Sequence, residues 1–332
     1  MLLAISLLVS GAFSVCASAG DGTSSKGGTS SKDVKSSTMD AKEAVELRDD
    51  CSLSVAYSSN GTVFSGQKVK VWHVADIKED ATYELAGSFT DYPIEVTGTK
   101  SQSEWDALTI TFNSYILSDG IAADYEAVTD ENGQVSFTSL KAGIYLIGNI
   151  RTEQDGTYYV FESFMAAVPD VDESGAWNYE VSASPKLSTD TPSKGQVTYQ
   201  VVKTWKDSDN KDQLRTDSVS VKIYQDEELK ETVTLNAKND WSYSWEAIDD
   251  GSVWTVAEED VPAKYTVGIK KTGDTFVITN AHTVKAAKKT SSKTQPKTGD
   301  STNVLPYVIG IAAAGVILII IGIVLHRRRH DR

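Results

Sequence analysis

The chain has 332 residues, with 46 acidic against 32 basic side chains and a net charge of −14. So acidic a surface argues against nucleic acid and anionic membrane as partners and suits a soluble, water-exposed protein. Cys16 and Cys51 are the two cysteines, too few for a disulfide scaffold, so an exported domain here would need another source of toughness.

Residues Leu2 to Val15 form a short apolar run that ends in Ala17, Ser18 and Ala19. A hydrophobic region followed by a small-x-small site reads as a signal peptide over 1–19, cleaved after Ala19. Phe13, Ser14 and Val15 before Cys16 make a poor lipobox, which favours ordinary cleavage over lipidation. Once the signal is removed, only Cys51 remains. Gly20 to about Ala41 is Ser, Thr, Gly and Lys with almost no large apolar residue, so 20–50 is expected to be a disordered leader.

From Cys51 the pattern changes to short alternating runs separated by turn residues. Leu53, Val55 and Tyr57 alternate as a half-buried strand should. Val69 and Val71, then Val135 and Phe137 after the turn at Glu131–Gly133, continue the pattern. Ile144–Ile147 and Tyr158–Val168 add further strands. One helix interrupts them. Ser101 and Glu104 form a capping box, and Trp105, Leu108, Phe112, Tyr115 and Ile116 fall on one face. Gly120 stops the helix. The aromatic stripe reads as core packing. A linker rich in Ser, Thr, Pro and Gly is expected over 188–196. A second alternating stretch, 197–283, follows, and Lys, Ala, Ser and Thr over 284–294 form a tether. Both alternating stretches are long enough to own a core.

The first stretch, 51–187, resembles the N-terminal domain of Gram-positive pilins, a decorated immunoglobulin-like sandwich. The resemblance rests on Ser65 and Gly66 with Val69–Asp76, on Thr129–Gly133 with Val135–Phe137, and on Gly143–Tyr145. It also rests on Trp177–Val181 followed by Pro185 and Lys186. It implies that Lys186 is the amine joined to the next subunit, although Ser184 and Leu187 stand where that motif has Tyr and Asn. Relatives that cross-link this domain place Lys and Glu where this chain has Tyr57 or Ser58 and Gly148 or Asn149. No internal bond is expected there.

The second stretch resembles a Cna-B domain, on Val201–Trp205, Asp207–Asp212, Asp217–Val221, Val233–Asn236, Trp241–Tyr243, Trp254–Glu258 and Val277–Asn280. The resemblance implies a spontaneous isopeptide bond between Lys203 and Asn280, with Glu258 as catalyst. Strand parity supports the same three residues independently, because side chains two apart share a face. Tyr199, Val201, Lys203 and Trp205 lie together, as do Trp254, Val256 and Glu258, and Phe276, Ile278 and Asn280. If the aromatic faces point inward, Lys, Glu and Asn enter the core together. Burial lowers the amine pKa and raises the carboxyl pKa, which readies an amine for attack on an amide. The alternative is a buried ion pair beside a bystander Asn.

The acidic run Asp207, Asp209 and Asp212 hints at calcium. Ser218 stands where an EF-hand has its Glu, and the central Gly is missing, so a polar turn is the better reading. The four His lie at 73, 282, 326 and 330, with no catalytic triad, zinc spacing or phosphate loop among them. No cofactor or metal is expected. A lone strand Cys such as Cys51 is ordinarily inert.

The chain closes on Gln295, Pro296, Lys297, Thr298 and Gly299, then 22 uncharged residues from Val304 to Leu325, then Arg327–Arg329. The apolar run is long enough to span a bilayer, and the Arg cluster marks its cytoplasmic side. The three parts in this order resemble the sorting signal of Gram-positive surface proteins over 295–332, with Gln295 in the usual place of Leu. The resemblance implies cleavage after Thr298 by a sortase and transfer of Thr298 to an amine.

The expected fold is all-β: two tandem immunoglobulin-like sandwiches, the first with a helical insertion, between a cleaved signal and a C-terminal transmembrane helix. The expected function is that of a non-enzymatic, cell-wall-anchored pilin subunit serving adhesion, secreted and passing through a transient membrane intermediate. Its partners would be sortase, peptidoglycan, sister subunits and a host or surface ligand. A monomeric adhesin on peptidoglycan is the alternative. An anchored hydrolase is a further rival that no residue pattern supports.

Overall fold

The computed structural model describes residues 44–282 apart from 60, 98–100, 155 and 173. The signal peptide, the first part of the leader, the tether 284–294 and the sorting signal with its apolar span fall outside the described residues. Among the described residues no helix is long and apolar enough to cross a membrane. Residues 44–50 of the leader expected over 20–50 are among the described residues, and they pack on the first sandwich. Val45 is the reason: it is a buried apolar anchor, and its N–H donates to the Glu79 carbonyl at 3.2 Å.

The first sandwich begins with β1 (Cys51–Ala56), the short pair β2 (Ser58–Ser59) and β3 (Thr62–Val63), β4 (Lys68–Ile77) and β5 (Tyr83–Leu85). A single 3-10 turn (Gly87–Phe89) leads to α1 (Gln102–Asp119). Then come β6 (Tyr125–Val128), β7 (Gln134–Leu140), β8 (Gly143–Ile147), β9 (Ile150–Gln154), β10 (Thr157–Phe161) and β11 (Phe164–Val168). The small strands β12 (Asp170–Val171) and β13 (Trp177–Asn178), then β14 (Glu180–Ala183) and β15 (Leu187–Asp190), complete it. One sheet has the order β14-β1-β7 and the facing one β11-β8-β4-β5, with β6 also on β4. In β1 the odd residues Cys51, Leu53 and Val55 are buried and the even ones half-exposed, as the period of two requires.

All five residues of β8 are buried, because this strand is covered on both faces. Tyr145 and Ile147 belong to the core between the sheets. Ile144 and Leu146 belong to a second core, with Trp72 and Val74 of β4 and Phe112 and Tyr115 of α1. Helix α1 begins on the expected capping box of Ser101 and Glu104. It ends at Gly120, whose φ of 63° is the left-handed cap that favours glycine.

The segment expected as a linker over 188–196 is not bare. Most of β15 lies in it, paired with β10, and the Lys194 N–H donates to the Asp249 carbonyl at 3.0 Å. The second sandwich follows with β16 (Gln196–Lys206), β17 (Ser218–Gln225), β18 (Glu228–Asn236), β19 (Ser242–Ile248), β20 (Trp254–Glu258), β21 (Thr266–Thr272) and β22 (Thr275–Ala281). Its sheets run β19-β16-β22-β21 and β18-β17-β20. The first and last strands, β16 and β22, are parallel neighbours, with Lys203 opposite Ile278 and Trp205 opposite Asn280. The core that includes α1 continues into this sandwich through Val201, Val256, Ile269 and Ile278. Both sandwiches fall in one compact unit. The architecture is thus all-β, two sandwiches with one helix inserted in the first.

Candidate functional site

Parity does place the three polar residues inside. In β16 the buried positions Tyr199, Val201 and Lys203 alternate with half-exposed ones. In β22 Phe276, Ile278 and Asn280 are buried while their neighbours are not. Trp254, Val256 and Glu258 of β20 are buried in the opposite sheet. Lys203 and Asn280 therefore come from adjacent strands of one sheet, and Glu258 reaches them across the core.

Glu258 touches both of the others. Its Oε1 accepts a 2.8 Å hydrogen bond from Asn280 Nδ2, and its Oε2 stands 3.4 Å from Lys203 Nζ. The side chains of Lys203 and Glu258 have no exposed area, and Asn280 is likewise fully buried. Glu258 Oε2 and Asn280 Oδ1 accept no hydrogen bond, a costly state for buried polar atoms. Burial pushes the Lys203 amine down to about 8, against the opposing pull of Glu258. Burial likewise pushes the Glu258 carboxyl up, opposed by Lys203 and Asn280. Both shifts favour the uncharged forms, a neutral amine beside a protonated acid. Lys203 Nζ lies 4.3 Å over the Trp205 ring and donates to the Thr204 carbonyl at 3.2 Å.

Just beyond Lys203, Asp207 is buried and its oxygens are occupied. Arg215 holds it in a two-pronged pair, Nη2 to Oδ1 at 2.6 Å and Nε to Oδ2 at 3.0 Å. The Tyr265 hydroxyl donates at 2.9 Å and the Asn210 N–H at 3.0 Å. The Arg215 guanidinium holds this carboxyl well below the usual carboxylate range. The acidic run of 207–212 is thus pinned as a turn by an arginine. Sequence reasoning missed Arg215 and Tyr265, since nothing in their spacing ties them to Asp207.

Lys186 sits apart, between β14 and β15. Its side chain is half exposed, with Nζ 3.2 Å from Glu162 Oε1. The expected sorting residues Gln295, Pro296, Lys297, Thr298 and Gly299 lie outside the described residues. Cys51 is buried at the start of β1, where burial raises its thiol pKa. A raised pKa leaves little thiolate, so the environment does not activate it. In the first sandwich, where no internal bond is expected, Tyr57 is fully buried.

Residues 199–281 match the family model of the Cna protein B-type domain. A collagen adhesin of Staphylococcus aureus is 26% identical over 134 residues, which is 38% of this chain but 11% of that protein. Among solved structures, a single B repeat unit of the Staphylococcus aureus collagen-binding surface protein aligns over 72% of this chain and all of its own. It does so at 15% identity and a TM-score of 0.26. The full-length major pilin SpaD of Corynebacterium diphtheriae aligns over 70% of this chain and 64% of its own, at 17% identity and a TM-score of 0.26. Over residues 199–281 the chain is thus similar to the B-type domain of a surface adhesin.

Proposed function

We propose that this chain is a wall-anchored, pilin-like surface subunit whose second sandwich locks itself with an isopeptide bond between Lys203 and Asn280. The observation that carries the reading is the bridge made by Glu258, with one oxygen 3.4 Å from the amine and the other 2.8 Å from the amide nitrogen. Lys203 Nζ attacks the Asn280 side-chain carbonyl carbon. A new C–N bond forms, the bond to Nδ2 breaks, and ammonia leaves. Glu258 takes a proton from the amine on Oε2 and delivers one to the departing Nδ2 from Oε1, so it ends as it began. The product is a neutral amide that removes a buried ionisable pair. The chemistry is single-turnover and self-directed, which makes the protein structural rather than enzymatic. Intact mass tests it: the folded chain weighs about 17 Da less than its sequence, the mass of one ammonia lost in amide formation. An unshifted mass sinks the reading.

The same proposal extends to assembly. Thr298 would be the carbonyl donor to a sortase, and Lys186 of a sister chain or a peptidoglycan amine the acceptor. The exposure of the Lys186 side chain supports its access to a second protein. The test is a detergent-resistant ladder from the native host that disappears on Lys186→Ala. Its absence in the wild type favours the second reading, a monomeric adhesin on peptidoglycan. The replacement of the motif's Tyr and Asn by Ser184 and Leu187 speaks for that reading. In either case the partners are sortase, peptidoglycan and an external ligand.

A further inference from the structure

A two-sheet sandwich is open along the side where edge strands of its sheets face each other. In the second sandwich β20 ends one sheet and β21 ends the other. Helix α1 of the first sandwich packs against both of these strands. It makes specific bonds to each. The Tyr115 hydroxyl, itself buried, donates to the backbone carbonyl of Glu258 at 3.2 Å. One helical turn earlier, Thr111 Oγ1 accepts the Ile269 N–H of β21 at 2.8 Å. Ahead of the helix, the Pro93 carbonyl accepts the Val267 N–H at 2.7 Å. These N–H groups of an edge strand would otherwise face water. Thr111, Ser114 and Tyr115 are all at or below 4% exposed, although two of them are small polar residues on a helix.

We propose that α1 is the closing wall of the Lys203–Glu258–Asn280 centre and that Tyr115 is a positioning residue for Glu258. The inference rests on the reading that these three residues react, and it adds that the second sandwich depends on the first to do so. Tyr115 fixes the backbone of the very residue that must face two partners at once. The ring of Tyr115 and its neighbours exclude water, whose entry would stabilise the ammonium–carboxylate pair over the neutral pair that reacts. A misplacement of a bridging carboxylate by a fraction of an ångström weakens both of its contacts. Bond formation then becomes a report that the two sandwiches have docked.

The test uses the full chain in detergent, recovered unreacted from urea and refolded by dilution. Folding is followed by tryptophan fluorescence, and ammonia loss by mass after folding is complete. Tyr115→Phe keeps the ring and removes the hydroxyl. It is expected to slow ammonia loss by about three- to tenfold, the weight of one hydrogen bond, with little change in Tm. Leu108→Ala, which removes buried apolar volume from the helix and keeps the Tyr115 hydroxyl, is expected to lower Tm and slow the reaction less than Tyr115→Phe does. A contact that merely holds the sandwiches together predicts the reverse, rates that follow Tm across the variants. If the wild type loses ammonia and Tyr115→Phe does so at the same rate, the wall inference is overturned while the reading of the triad stands. If the wild type itself shows no loss, the reading of the triad fails and the inference falls with it. Should Leu108→Ala not fold, the rate of Tyr115→Phe decides.

Discussion

Asn280 Nδ2 and Glu258 Oε1 are joined by a 2.8 Å hydrogen bond in the closed core of the second sandwich, while Asn280 Oδ1 accepts none. A buried amide with its nitrogen held and its oxygen unpartnered is poorly satisfied as a static structure. In the proposed reaction this amide is the substrate, and its acid is already in contact.

The first prediction concerns that acid. Glu258→Gln retains the shape and can still hydrogen-bond Asn280, but it cannot pass a proton between nitrogen atoms. The variant is expected to stay at its sequence mass after days of incubation, and peptide mapping should recover Lys203 and Asn280 on separate peptides. A cross-linked peptide in this variant would remove Glu258 from the mechanism.

The second concerns stability. A bond from Lys203 to Asn280 closes most of the sandwich into one loop, worth about 4 kcal/mol by loop-closure entropy. Asn280→Ala forgoes it, and the thermal midpoint should fall by on the order of 20 °C for a domain of this size. Scanning calorimetry of the two proteins decides. A drop of only a few degrees would mean that the wild type carries no cross-link.

The third follows from the buried amine. In the unreacted Asn280→Ala chain, Lys203 should titrate near 8 when folded and near 10.5 when unfolded. Between those values the unfolded chain binds more protons, so stability rises with pH. From pH 8 to 9.5 the gain is at most about 2 kcal/mol, as one proton is linked. With the proposed bond, Lys203 of the wild type is an amide nitrogen that no longer titrates, so this rise should be missing. Urea unfolding at both pH values reads it, and an equal rise in the two proteins contradicts the bond.

A fourth prediction tests the turn at Asp207. Arg215→Leu leaves a buried carboxylate with only the Tyr265 and Asn210 donors. The expected loss is about 3 kcal/mol, at the low end for breaking a buried pair because Arg215 itself is partly exposed. Millimolar calcium should not shift the thermal midpoint of the wild type, since Arg215 and Tyr265 already hold both oxygens. Stabilisation by calcium would instead make the acidic run a cation site.

By itself the sequence determined what is local. Alternation in β16, β20 and β22 turned Lys203, Glu258 and Asn280 inward, because a strand's side chains change face at every residue whatever surrounds it. Ser101, Glu104 and Gly120 bounded α1, because caps satisfy the helix's own end groups. The tertiary structure alone decided what covers each face. Thr111 and Ser114 are polar and lie off the aromatic stripe of α1, yet both are fully buried, because the helix is covered on more than one side. Periodicity reports which face avoids water and never names its neighbour. Tyr115 meets Glu258 across 143 residues of chain and Thr111 meets Ile269 across 158. Contacts over such separations come from folding the two sandwiches against each other, which leaves no repeat in the sequence.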